Sequence, residues 1–201
     1  MSDFFTADTH FRHANVILYN NRPFLDRLND LDSKGRWKSK EIAYRRAFEM
    51  DEAIIYNWNS VVRPGDTVYH LGDWAFCEDL NQYLDRLNGT IFWIHGNHDK
   101  AAWKVKHRFA RHAPLMEVKI AFPEGIREVT LCHYAMRVWN KSHHGSWHLY
   151  GHSHGNLEDL KDSKSLDVGM DCHNLFPVSA KRVSELMASK TFVPVDHHGE
   201  I

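Results

Sequence analysis

Thr90-Ile91-Phe92-Trp93-Ile94-His95 is an apolar run rich in β-branched and aromatic residues, and it stops at Gly96-Asn97-His98-Asp99. The run predicts a buried strand, and the stop puts an amide, an imidazole and a carboxylate at its carboxyl end. Upstream, Thr67-Val68-Tyr69-His70-Leu71 predicts another buried strand, ending in Gly72-Asp73. Residues 2–7 predict a first strand that stops at Asp8, with His10 two positions on. Between these strands lies helical periodicity. Over residues 40–62, Ala43, Ala47, Met50, Ile54, Trp58 and Val61 recur at spacings of three and four and draw one apolar stripe. Arg63-Pro64-Gly65-Asp66 ends it with turn chemistry. Residues 77–87 predict a helix with Leu80, Leu84 and Leu87 on one face, residues 14–19 one or two helical turns, and residues 100–109 a further helix.

The pattern changes downstream. Leu115 to Phe122 and Ile126 to His133 predict two strands joined by Pro123-Glu124-Gly125, which is hairpin spacing. Trp147-His148-Leu149-Tyr150 predicts a strand running into Gly151-His152-Ser153-His154. Residues 165–169 predict one more strand, and residues 178–189 a final helix with Val183, Leu186 and Met187 inward. The expectation is an α/β (α+β) fold with two sheets in a layered arrangement. No Pro/Gly/Ser linker separates the halves, so residues 1–201 read as a single domain. Residues 24–39 are polar and mixed, with Asp32-Ser33-Lys34-Gly35 as turn chemistry. They read as a loop or insertion, either a lid over a site or a passive segment.

Composition narrows the function classes. The chain has 201 residues, 43% hydrophobic and 25% charged, the balance of an ordinary globular protein of about one domain. Lys and Arg number 25 against 26 Asp and Glu, a formal charge of −1, which argues against bulk nucleic-acid binding. No apolar run approaches the ~18 residues of a membrane span, and the start lacks the pattern of a signal peptide. Cys77, Cys132 and Cys172 form no CxxC pair and read as reduced thiols of a cytoplasmic protein. The outlying number is 16 histidines. Histidine is the commonest transition-metal ligand and the usual acid or base at neutral pH.

Those histidines fall at strand ends, together with acids. Asp8 and His10 follow the first strand, Asp73 the second, Asn97 and His98 the third, His133 the hairpin, and His152 and His154 the strand after it. Ligands of open sheets bind beyond the carboxyl ends of the strands, so these residues are expected to converge. Asp8, His10, Asp73, Asn97, His133, His152 and His154 are too many for one ion, which takes three or four protein ligands, and they suit two. Two cations ~3.5–4 Å apart form the clamp used for in-line displacement at phosphorus. Histidine with carboxylate suits manganese, iron, zinc, nickel or cobalt.

Asp8-x-His10, Gly72-Asp73, Gly96-Asn97-His98-Asp99, His133 and Gly151-His152-Ser153-His154 resemble, in order and spacing, the calcineurin-like metallophosphoesterase superfamily, in its small bacterial or phage-type branch. The resemblance implies a four-layered α/β/β/α sandwich. It implies a first metal held by Asp8, His10 and His154, a second by Asn97, His133 and His152, and Asp73 bridging them. His98 then faces the substrate as the general acid or as a donor to the phosphoryl oxygens. The implied function is hydrolysis of a phosphodiester, of nucleotide type among others, by a metal-activated water. The same mechanism on a phosphomonoester is the alternative, as is a non-catalytic protein-binding scaffold, which the complete ligand set disfavours. One departure stands out. The protein-phosphatase branch has an aspartate three residues after the GD motif to pair with the catalytic histidine, and here that position is Phe76.

Residues near these motifs carry further expectations. Arg12, His13, Asn15 and Trp74 are candidates for substrate binding, each also explicable as loop or core. Arg137 has the same ambiguity, and Trp139, Trp147 and Tyr150 are candidates for an aromatic wall against a nucleobase. Asp99 reads as a cap or loop brace. His70, His95 and His173 read as supporting or core histidines. His107, His112, His143, His144, His148, His197 and His198 read as surface residues.

Overall fold

The computed structural model describes residues 1–195, so His197 and His198 lie outside the described residues. The chain opens with β1 (Asp3–Thr6) and α1 (Ala14–Tyr19), then a single turn α2 (Arg27–Asp30). The long helix α3 (Lys40–Val61) begins where the Ser39 hydroxyl accepts from the Ile42 N–H at 3.2 Å. Its buried face carries Ala47, Met50, Ile54 and Trp58 as the periodicity predicts, but Val61 is exposed and Asp51 is buried in the stripe.

β2 (Thr67–His70), α4 (Asn81–Leu84), β3 (Thr90–Ile94), α5 (Lys100–Lys104) and β4 (Arg111–Ala113) follow. The helix expected over 77–87 shrinks to one turn because the Asp79 carboxylate takes the Asn81 N–H at 2.9 Å, a local bond that competes with helix. Leu80, Leu84 and Leu87 are buried all the same. Next come β5 (Leu115–Phe122) and β6 (Gly125–Cys132), the expected hairpin, then β7 (Trp147–Tyr150), β8 (Ser165–Asp167), β9 (Val178–Ser179) and α6 (Ala180–Ala188).

Two mixed sheets result. The first has the order β4-β3-β2-β1-β9, with β1 to β4 parallel and β9 antiparallel to β1. The second has the order β5-β6-β7-β8, antiparallel only between β5 and β6. Strand alternation splits the core. Phe4, Val68 and Trp93 face the helices and join Met50, Ile54 and Trp58. Phe5, Tyr69 and Ile94 face the second sheet and join Met116, Ile120, Leu131 and Leu149. Val183 and Met187 of α6 enter this second cluster, and α6 touches strands of both sheets.

Helices thus flank the sheets, but unevenly. The outward side chains of β5, Glu117, Lys119 and Ala121, are exposed. Beside them, over β7, irregular chain rather than helix covers the sheet: Trp139 packs on His148 with ring centroids 5.2 Å apart. His148, expected at the surface, is fully buried there, its Nδ1 3.0 Å from the Thr130 carbonyl and its Nε2 accepting from the Met136 N–H. No helix among the described residues is long and apolar enough to cross a membrane.

Residues 24–39 fold onto the body. Buried Asp30 pairs with Arg46 at 2.7 Å, and Trp37 donates to the Asn15 amide oxygen at 3.0 Å. Phe24, Leu25 and Trp37 pack on the helical core.

Candidate metal centre

The carboxyl ends of β1, β2, β3, β6 and β7 open on one cleft. The loop after β1 stays paired to the loop after β2 beyond the strands, with Asp8 N–H donating to the Gly72 carbonyl at 2.9 Å and His10 N–H to the Asp73 carbonyl at 3.1 Å. The two sheets are tied at the same place, where His152 N–H donates to Asp8 Oδ2 at 2.8 Å. Asp8, His10, Asp73, His152 and His154 all have positive φ, between 49° and 65°. Such backbone costs energy in residues other than glycine and concentrates at functional sites. Two glycines make the close approach feasible. A Cβ on Gly96 would overlap the Asp73 carboxylate, and one on Gly151 would overlap Ala7 and Asp8.

All seven expected ligands come together. Asp8, His10 and His154 offer ligand atoms within 4.8 Å of one another, and so do Asp73, His133 and His152. Asn97 joins the second group, its Oδ1 3.0 Å from His133 Nε2. Asp73 reaches both groups: its Oδ2 lies 3.7 Å from His10 Nε2 and its Oδ1 3.6 Å from His133 Nε2.

The donor set fits cations. Asp8 Oδ1 and His10 Nε2 are buried and have no hydrogen-bond partner among the described residues. His133 Nδ1 lies 2.7 Å from the Leu71 carbonyl. With the proton there, Nε2 presents a lone pair to two more acceptors, Asn97 Oδ1 and Asp73 Oδ1. Burial raises the Asp8 carboxyl well above its ordinary range, and the charges of Asp73 and Asp167 raise it further. Burial drives His10 far below its ordinary value, as does the charge of Arg22. Clustered acids and lone pairs facing one another are satisfied by a metal ion. The two clusters can therefore hold metal ions.

Behind the first group stands support that the sequence did not advertise. Arg22 is 2% exposed. It donates from Nε and Nη2 to the two oxygens of Asp171, each at 2.8 Å, and also to the carbonyls of Asp8 and Thr9. Asp171 Oδ2 in turn lies 2.7 Å from His154 Nδ1, which leaves Nε2 of that ring for a ligand. Burial pushes the Asp171 carboxyl up, but the hydrogen bonds from Arg22 and His154 outweigh it and hold it below its ordinary range. Arg22 sits in Asn20-Asn21-Arg22-Pro23, which looks only like a turn, and a single buried Arg–Asp pair leaves no periodic trace.

His98 is exposed in the cleft, and its backbone N–H donates to Asp73 Oδ1 at 2.8 Å. Its ring has no hydrogen-bond partner among the described residues. Phe76 flanks it instead, with ring centroids 5.1 Å apart. Asp99 braces the loop, accepting from the N–H groups of Trp74 and Gly96 and from Trp93 Nε1.

The substrate-binding candidates separate. His13 lines the cleft with His10, Tyr19, Phe76 and His98, and burial lowers its imidazole to about 4. Arg12 lies outside that cleft, over the Tyr44 ring at 4.3 Å. Asn15 is taken up by Trp37 and is not a cleft residue. Trp74 is not available to a substrate either: it is fully buried and stacks on His70 at 3.5 Å, because its strand-end position turns it into the helical core. Trp147 and Tyr150 are buried in the second sheet. Arg137, Trp139 and Tyr150 line a different cavity of about 480 Å³, away from the metal ligands. No residue of 24–39 lines the cleft. His70 is a core histidine bonded to Thr9, His173 holds the Asp167 carbonyl, and His95 pairs with His112 at 3.0 Å. Tyr134, which no sequence motif marks, points its hydroxyl at Asn97 Oδ1 from 3.3 Å.

No protein-family model matches the chain. A protein of unknown function from Aquifex aeolicus, AQ665, has a crystal structure that aligns with TM-score 0.63 over 92% of this chain and 98% of that one. At 24% identity this likeness speaks for the fold. The uncharacterized protein MJ1445 of Methanocaldococcus jannaschii is 30% identical over 190 residues, an alignment covering 90% of this chain and 88% of that protein. At that identity and coverage the chain belongs to the same family as the Methanocaldococcus protein.

Proposed function

We propose that the protein is a dinuclear metal-dependent phosphodiesterase of the calcineurin-like metallophosphoesterase type. The observation that carries this reading is Asp73, whose two oxygens face His10 of one cluster and His133 of the other. A carboxylate shared in this way, with four imidazoles, a second carboxylate and an amide divided around it, suits two divalent ions better than one. Asp8, His10 and His154 would hold the first ion, Asn97, His133 and His152 the second, and Asp73 both. Manganese, iron, zinc, nickel and cobalt all suit these donors. Two bound ions would supply charge for the phosphoryl oxygens and would lower the pKa of a water between them.

The remaining work falls to residues of the chain. His98 stands free at the mouth of the cleft, where its imidazole can donate a proton to the leaving oxygen or a hydrogen bond to the phosphoryl group. Among the described residues no carboxylate holds that ring; Phe76 stands at the position that carries one in the protein-phosphatase branch and packs beside it. Without a carboxylate partner the ring is less firmly held for proton transfer, and this departure from the protein-phosphatase pattern is what tilts the reading towards a diester. The wall formed by His13 and Phe76 limits water on one side of the site.

The test is turnover of bis(p-nitrophenyl) phosphate beside p-nitrophenyl phosphate by chelator-stripped protein, with and without added Mn²⁺. Diester turnover lost on stripping and restored by the metal is the expected result. No turnover of either ester by protein that has bound two metal ions per chain would overturn the reading.

A further inference from the structure

Phe76 is a large apolar side chain left 44% exposed beside a cleft of charged and polar groups. A single exposed phenylalanine is ordinary, but this one is held in place. Its backbone N–H donates to the Phe11 carbonyl at 2.8 Å. One face of its ring is seated on His13, with centroids 3.9 Å apart and planes within 22°. His10 and His98 also approach the ring, with centroids 5.6 and 5.1 Å away, and 44% of the residue is still left to solvent. Tyr19 extends the same aromatic wall, 71% exposed and edge-on to His13.

The ring also divides two depressions. On one side is the cleft of about 380 Å³ that contains His10, Asp73, His98, His152 and His154. On the other is a groove, also about 380 Å³, containing Arg12, Tyr44 and Gln82. Phe76 lines both. Across the groove the Arg12 guanidinium lies over the Tyr44 ring at 4.3 Å, a second surface of delocalised groups. A molecule with a phosphate in the first depression and a flat, acceptor-rich ring in the second would pass over Phe76.

We propose that Phe76 is a stacking platform for a nucleobase, and that the ester hydrolysed at the centre is a nucleotidyl phosphodiester whose base lies on Phe76 and reaches into the Arg12–Gln82 groove. The inference rests on the phosphodiesterase reading for its reaction, though not for its binding surface. Stacking on an aromatic side chain tolerates any base because every base has a π-face. Phe76 therefore selects nucleosides as a class, and one base over another only through groove residues.

Two measurements test it. The first compares thymidine 5′-(p-nitrophenyl phosphate) with methyl p-nitrophenyl phosphate, which share a leaving group and differ in carrying a nucleoside or a methyl group. The ratio of their kcat/KM values is expected to fall about tenfold or more in Phe76→Ala, through KM of the thymidine ester, and to recover in Phe76→Tyr. A ratio within twofold of the parent in Phe76→Ala would mean that the ring only props His13 and His98, and would overturn the proposal. The second measurement needs no turnover. Saturation-transfer NMR of adenosine with metal-free protein is expected to mark the base protons H2 and H8, and the marking is expected to vanish in Phe76→Ala and persist in Phe76→Tyr. Absence of transfer to adenosine in the parent protein would also overturn the proposal. If neither ester is hydrolysed while adenosine still binds through Phe76, the phosphodiesterase reading fails and the platform stands.

Discussion

Asp8 and His10 are buried and His154 half-buried, with buried Arg22 and Asp171 behind them, whereas Asn97 and His152 stand in the open. The inner half leans on Arg22 and Asp171. The outer half has a backbone carbonyl behind His133 and one exposed phenol, Tyr134, beside Asn97. The difference separates two kinds of dependence. Changes behind the inner half strand buried charge and act on folding, while changes around the outer half act on metal affinity and rate.

The largest effect is expected from Asp171→Ala. It leaves the Arg22 guanidinium buried without its partner, and removing one member of a buried ion pair costs about 3–5 kcal/mol. The His154 ring also loses its orienting acceptor, for which a tenfold to hundredfold loss of metal affinity is typical. Chemical denaturation and competition with a chelator measure the two effects. A variant as stable as the parent would show that the Arg22–Asp171 pair does not carry the inner half.

A buried carboxyl that accepts from the Arg12 backbone N–H, two positions past His10, responds to pH. Burial raises Asp51 to about 6 from an ordinary 3.8, against the opposing hydrogen bonds from Tyr83 and the Arg12 N–H. A carboxyl that holds its proton more tightly when folded lends stability that is complete below pH 3.8 and is lost as the pH rises through about 6. At ~1.4 kcal/mol per pH unit the difference amounts to about 3 kcal/mol. Asp51→Asn cannot ionise, so the stability of the parent relative to this variant is expected to fall across that window. Urea titrations from pH 4 to 7 read it directly, and a difference independent of pH would remove Asp51 from the account.

Asp73→Asn tests the residue common to both halves. The amide keeps the shape but not the charge, so kcat at saturating Mn²⁺ is expected to drop roughly a hundredfold or more, the scale of losing a preorganised electrostatic contact. Metal analysis is expected to find fewer than two ions per chain. Near-parental turnover would remove Asp73 as the bridge and with it the dinuclear reading.

The contrast between the halves also explains what could be read from the sequence. The strands carrying Asp8, Asp73 and Asn97 are short apolar runs with an abrupt polar stop, and both features are local. Ligand placement followed from those stops, because parallel strands in one sheet must end on one side. Arg22 and Asp171 are 149 positions apart, and their meeting depends on the docking of the two sheets, which no local pattern encodes. Trp74 shows the converse. Adjacency to Asp73 suggested a cleft residue, yet Asp73 has a positive φ of 59° that breaks the extended run, and Trp74 enters the helical core. Phe76, two positions further, lines the cleft, which strand alternation from Trp74 does not foretell.

The smallest expected effect lies on the outer half, and it sharpens the comparison most. Tyr134→Phe removes one hydroxyl whose contact to Asn97 Oδ1, at 3.3 Å, is long for a hydrogen bond. The ring stays, and with it the edge-on packing against His133 and His152. Tyr134 is 48% exposed, so no buried polar group is stranded and stability should stay within ~0.5 kcal/mol. Asn97 becomes free to turn its amide, and the outer ion is expected to bind up to about tenfold more weakly, the lower end of what supporting hydrogen bonds to metal ligands contribute. Metal titration of stripped protein should then show the inner step unchanged and only the outer step shifted. A shift of both steps together would mean that the halves are coupled through Asp73 strongly enough to act as one site. The division drawn from their supports would then describe folding alone.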